Sequence, residues 1–162
     1  MLEEEAATHL LVAFDMKAPT FRHKMYQEYK GTRKPMPGEL SQQMPVIKEI
    51  LRAMNILVVE REGIEADDIL GTAARSGERE GYQVSLVSGD RDLLQLATEK
   101  ITIRIPKTSK GVTTVEDYNS KEVLDKYGVS PLQIIDLKGL MGDSSDTVSY
   151  THLRAHETLR HL

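Results

Sequence analysis

The stretch Val84-Ser85-Leu86-Val87-Ser88-Gly89-Asp90-Arg91-Asp92-Leu93-Leu94-Gln95-Leu96 decides the fold class. Val84–Val87 is a short, β-rich, mostly apolar run, the kind that is buried in parallel sheets. Ser88 and Gly89 break it, and Asp90–Ala97 reads as a short helix. An acid placed directly after a strand sits at that strand's carboxyl end, where ligands of α/β sheets bind.

The same alternation extends both ways along the chain. Leu10–Phe14, Ile56–Val59 and Ile101–Ile105 are further apolar runs with the length of strands, and Asp15 terminates the first of them. Glu39–Met54 and Glu65–Glu80 carry apolar positions at helical spacing. Towards the carboxyl end, Asn119 with Glu122 makes a capping box that opens a helix stopped by Gly128. Ser130, Pro131 and Gln133 open the next helix. Strands alternating with helices predict an α/β fold, a mostly parallel central sheet flanked by helices and joined by right-handed crossovers.

The 162 residues suit one domain or most of one, at 40% hydrophobic and 28% charged. Absence of cysteine excludes disulfides, thiolate metal sites and Cys nucleophiles. No apolar run is long enough for a membrane span and no signal peptide opens the chain, so a cytoplasmic monomer is expected. The net charge of −4 conceals segregation. Lys17, Arg22, Lys24, Lys30, Arg33 and Lys34 stand against Glu28 alone in one segment; Glu60, Glu62, Glu65, Asp67 and Asp68 stand against Arg61 in another. Neighbouring basic and acidic blocks suit a polyanionic ligand together with a bound cation, although each block alone suits a solvated face.

Three acidic motifs carry the chemistry: Gly63-Ile64-Glu65-Ala66-Asp67-Asp68, Ser88-Gly89-Asp90-Arg91-Asp92 and Gly142-Asp143-Ser144-Ser145-Asp146. Glu65 and Asp68, three apart, share a helix face. Taken singly, each motif has a plain structural use: acids at a helix N-terminus, an N-cap, a turn. Together with Asp15 they make eight carboxylates at the tips of elements, and their repulsion calls for protonation or for divalent cations. Oxygen-only ligands select Mg²⁺ or Mn²⁺, and two such ions suit phosphoryl displacement. His9 and His23 are lone and read as structural or surface residues.

The ordered motifs GIEADDILGT, VSLVSGDRDLLQL and KYGVSPLQIIDLKGLMGDSSD, with VAFDMKAPTFRHKMYQEYKGTRKPMP before them, resemble the 5′–3′ exonuclease domain of bacterial DNA polymerase I, a relative of the flap endonucleases. The resemblance runs from Leu2 to Asp146 and implies a PIN-like 5′ nuclease fold, with DNA bearing 5′ ends or 5′ flaps as substrate. It implies that Asp15, Glu65, Asp67 and Asp68 serve one Mg²⁺ or Mn²⁺ ion, and that Asp90, Asp92, Asp143 and Asp146 serve a second. Asp68 and Asp90 are the acids taken as catalytic. Arg22, Lys24, Tyr29, Lys30, Arg33 and Lys34 fall in the basic arch that grips the 5′ strand, with Lys30 stabilising the transition state. Tyr29 either stacks on a base or packs against protein. The resemblance further implies primer removal and DNA repair near the nucleoid, with a polymerase domain in the same parent polypeptide.

Three departures accompany it. The family's opening strand, with its Asp-Gly-Asn-like motif, and the helix after it have no counterpart here, so a central strand and one acid are expected to be missing. The chain is also expected to stop before the helix–hairpin–helix that grips duplex DNA in the family. Val148–Thr158, VSYTHLRAHET, matches one frame of a common transposase-type sequencing adapter, so residues 147–162 are expected to be a non-native tail after a partial exonuclease domain over 1–146. Such a chain is expected to be a poorly stable, impaired nuclease. Two other functions fit some of the residues: a catalytically dead DNA-structure binder, and a Toprim-like domain pairing a Glu with Asp-x-Asp. The Toprim-like reading leaves Asp15, the Asp67–Asp68 pair and Asp143–Asp146 without roles.

Overall fold

The structure is a computed structural model and describes residues 6–142. Strands β1 (Leu11–Ala13) and β2 (Leu57–Val59) pair in parallel, Val12 opposite Val58. Strands β3 (Val84–Val87) and β4 (Ile101–Ser109) also pair in parallel, Leu86 opposite Ile103. β4 then pairs antiparallel with β5 (Val112–Tyr118). The expected α/β class and mostly parallel pairing therefore hold, but the strands form two ladders, β1-β2 and β3-β4-β5.

Five α-helices lie along the described chain: α1 (Phe21–Met25), α2 (Gly38–Ala53), α3 (Ala66–Arg79), α4 (Ser120–Tyr127) and α5 (Ile134–Met141). Asp90–Ala97, expected as a short helix, is the 3-10 turn Arg91–Leu96, and a second 3-10 turn over Pro131–Gln133 leads into α5. The two carboxyl-terminal signals act as expected. Asn119 accepts from the backbone N–H of Lys121 and of Glu122, and Gly128 ends α4 in the left-handed region at φ 70°. Helix α1 and strand β5 were not anticipated. β5 is largely polar, but the turn before it, Lys110-Gly111 with both φ positive (51° and 80°), carries the residue signal of a tight hairpin.

The core is asymmetric. Every buried apolar side chain among the described residues lies between Ala74 and Ile134, with Leu94, Ile101, Ile103 and Val123 the most enclosed. β4 supplies three of them, Ile101, Ile103 and Ile105, because alternate residues of a strand face the same side. The amino-terminal elements contribute no apolar residue to this core. Their buried side chains are polar: Thr20 and, at the head of α3, Glu65. Among the described residues no helix is long and apolar enough to cross a membrane.

Candidate active site

Acids reach one region because each ends an element. Glu65 is the N-cap of α3, and Asp68, at the third position of that helix, accepts from the Glu65 backbone N–H at 3.3 Å. Asp15, just past β1, accepts from the Ala66 backbone N–H at 2.7 Å and so complements the positive end of the same helix. Asp90, three residues past β3, is the N-cap of the 3-10 turn, its Oδ1 accepting from the Asp92 N–H at 2.8 Å. A Cβ at Gly71 would stand 3.2 Å from Leu96 Cδ1, so α3 runs close against that turn and carries its acids towards Asp90 and Asp92.

Glu65, Asp67, Asp68, Asp90 and Asp92 line one cleft of about 730 Å³, and Arg22, Tyr29 and Lys30 line it with them. Asp15 lines an adjoining hollow of about 260 Å³ with Lys17 and Arg33, and Glu65 and Lys30 border both. Of the expected metal ligands, six are thus brought to one region; Asp143 and Asp146 lie outside the described residues. Of the expected DNA contacts, Arg22, Tyr29, Lys30 and Arg33 border these spaces, whereas Lys24 and Lys34 are exposed away from them.

Charge balance within the cleft is detailed. Arg22 grips Asp68 with two hydrogen bonds, at 2.7 and 2.8 Å, and lies 3.6 Å from Glu65. This fork holds the Asp68 carboxyl below the usual aspartate range, chiefly through its hydrogen bond. Glu65, 6% exposed, receives Lys30 Nζ at 3.0 Å and the Tyr29 hydroxyl at 3.2 Å on Oε2, and the Thr20 hydroxyl at 3.2 Å on Oε1. Lys138 of α5 lies 2.8 Å from Asp92 Oδ1. Asp67 is shifted the other way: burial, then the charges of Asp90 and Asp15, push its carboxyl up to about 6.

A divalent cation suits this donor set, which is all carboxylate and crowded with like charge around Asp67. The fit is one of chemistry and shared cavity. Among the described residues no three His, Cys, Asp or Glu side chains draw close enough to hold one ion directly. The physical reason is visible in the ion pairs: Arg22, Lys30 and Lys138 hold Asp68, Glu65 and Asp92.

Tyr29 takes the packed alternative, half-buried with its ring edge-on to His23 at 5.1 Å and its hydroxyl on Glu65. His23 is structural, its Nδ1 accepting from the Thr20 backbone N–H. Sequence reasoning missed Lys138 and Thr20. Thr20 had a signal, an N-cap residue type before the helix Phe21–Met25. Lys138 had none, since its partner lies far away in the chain.

Known proteins agree with this geometry. The pattern of the 5′-3′ exonuclease, N-terminal resolvase-like domain matches residues 1–128. The chain belongs to the 5′–3′ exonuclease family. DNA polymerase I of Bacillus subtilis (strain 168) is 56% identical over 148 residues, which are 91% of this chain and 17% of that protein. DNA polymerase I of Mycobacterium leprae is 43% identical over the same length, 16% of its own. The chain thus spans about a sixth of the curated relatives it matches. Among solved structures, a bacteriophage T5 protein co-crystallised with metal ions superposes with TM-score 0.73 at 23% identity, covering 99% of this chain and 64% of that one. A T5 flap endonuclease in a pseudo-enzyme–product complex with DNA and metal ions gives 0.69 at 21%, covering 99% and 61%. The PIN-like 5′ nuclease fold is therefore the fold of this chain. Family membership removes the Toprim-like reading.

Proposed function

We propose that this chain is the nuclease part of a DNA polymerase I-type polypeptide, hydrolysing DNA phosphodiesters near 5′ ends and 5′ flaps with divalent cations. The observation that carries it is the convergence of five carboxylates, from α3 and from the turn after β3, on one cleft walled by Arg22 and Lys30. Bound divalent ions of the Mg²⁺ or Mn²⁺ type would make water acidic enough to attack and offset charge gathering on the phosphate. Asp15, Glu65, Asp67 and Asp68 would hold one ion, and Asp90 and Asp92, with Asp143 and Asp146, another.

The chain's own residues account for the rest. Arg22 and Lys30 present guanidinium and ammonium groups where a phosphate would enter, and stabilise charge as it develops. Arg33, beside Asp15, extends this positive rim along the strand; Lys24 and Lys34 add sequence-independent attraction. In the reaction the water oxygen bonds to phosphorus, one ester P–O bond breaks, and the departing sugar oxygen takes up a proton. Primer removal and repair, in the cytoplasm near the nucleoid, are the roles such a reaction fits.

The test is cleavage of a 5′-flap duplex by the purified chain with Mg²⁺, with Mn²⁺ and with chelator. Cleavage near the junction that stops with chelator and with Asp90→Ala, while DNA binding persists, is the expected result. DNA binding with no metal-dependent cleavage would replace this reading with that of a DNA-structure binder.

A further inference from the structure

We infer that Thr20 is a positioning residue for Glu65: its buried hydroxyl fixes one carboxylate oxygen so that the other faces the cleft. The inference rests on the ligand role given to Glu65 above. Thr20 and Glu65 are the two buried polar residues of the described chain, 7% and 6% exposed, and they bond to each other across forty-five residues of sequence. A buried carboxylate is tolerated only when hydrogen bonds replace its lost water.

The two oxygens of Glu65 are treated differently. Oε2 meets the Tyr29 hydroxyl and Lys30 Nζ, both of which line the cleft. Oε1 meets Thr20, which lines the adjoining hollow beside Asp15 rather than that cleft. The hydroxyl has one proton and two acceptors near it, Glu65 Oε1 at 3.2 Å and His23 Nδ1 at 2.9 Å. A carboxylate is the stronger claimant because the bond to it is charge-assisted, and His23 Nδ1 already accepts the Thr20 backbone N–H at 3.2 Å. Thr20 is held in turn as the N-cap of α1, with the His23 backbone N–H bonded to its carbonyl at 3.1 Å. The plane of the Glu65 carboxylate is thereby referred to the start of α1. Groups that orient ligands in this way alter metal affinity by roughly ten- to a hundredfold when removed.

The experiment is Mn²⁺ binding to the whole 162-residue chain, followed by electron paramagnetic resonance, with melting temperature as the control. Thr20→Val, which keeps the shape and deletes the donor, is expected to weaken Mn²⁺ binding about tenfold or more, and Thr20→Ser to restore it. A group serving stability alone would lower the melting temperature and leave the affinity of the folded chain unchanged, and that result overturns the inference. Glu65→Gln separates the inference from the reading beneath it. If Glu65→Gln weakens binding and Thr20→Val does not, only the role of Thr20 falls; if the wild-type chain binds no Mn²⁺, or binds it equally after Glu65→Gln, the ligand role of Glu65 falls too. Should Thr20→Val not fold, proton resonance on the wild-type chain decides: a slowly exchanging Thr20 hydroxyl with a cross-peak to Glu65 is expected, and its absence overturns the assignment.

Discussion

Asp90 accepts the Asp92 N–H while facing the cleft, so one carboxylate serves both a cap and the site. The two uses separate by substitution. Asp90→Ala is expected to lose about 1 kcal/mol of stability with the cap, whereas Asp90→Asn, a good N-cap residue, keeps nearly all of it. Both are expected to lose flap cleavage, so thermal melts and cleavage assays on the pair should part company. Arg33→Ala is expected to weaken DNA binding alike for all sequences and to reduce the salt slope of log K by about one, measured by titration at several salt concentrations. At this scale the sequence showed the carboxylates, because each one stands where a periodic pattern ends. It did not show which cation each would meet. Arg22 and Asp68 are forty-six residues apart, and only the folded chain sets their distance.

The β4–β5 hairpin shows the same division at the scale of an element. Ile101–Ile105 was legible as a strand because its apolar residues alternate into the core; its continuation to Ser109 and β5 were not, because, apart from the buried Tyr118, they are mostly exposed and largely polar. Pairing replaces burial there. Arg104 and Asp117 stand opposite each other and form two hydrogen bonds, at 2.8 and 3.0 Å. Glu116 gathers Lys107, the Tyr118 hydroxyl and Lys126. Lys107 first, then Tyr118 and Lys126, hold the Glu116 carboxyl down at about 2. Its folded value lies below its unfolded one, so its contribution is complete above the ordinary glutamate value near 4.5 and is lost as pH falls towards about 2. Glu116→Gln is expected to flatten that acid limb of the stability profile, read as melting temperature against pH.

Across the whole molecule, apolar surface is unevenly spent. Helix α2 exposes Val46, Ile47 and Ile50 on neighbouring turns, and Met54 at its end and Leu57 of β2 are exposed as well. β1 and β2 are three residues each and form a ladder of two strands, a marginal unit in water. Exposed apolar patches and unpaired strand edges favour self-association. Ile47→Lys with Ile50→Lys is expected to lower light scattering at high protein concentration without changing cleft chemistry, since neither residue lines it. The pattern of alternation in the sequence was enough to name the class of fold. It was silent on the split into two ladders, because pairing between distant strands is a property of the assembled chain.

The one-sided core, confined to Ala74–Ile134, gives the molecule a graded resistance to opening. Amide protons of β3, β4 and α4 should exchange with deuterated solvent only when the domain unfolds as a unit, while those of β1, β2 and α1 should exchange through cheaper, partial excursions. Asp90 and Asp92 belong to the slow part. Asp15 and Thr20 belong to the fast part, and Glu65 stands at the border between them. The cleft therefore straddles two regimes of time, and whatever ligand bridges its walls would slow exchange most in β1 and α1, far more than in the strands that already carry the core.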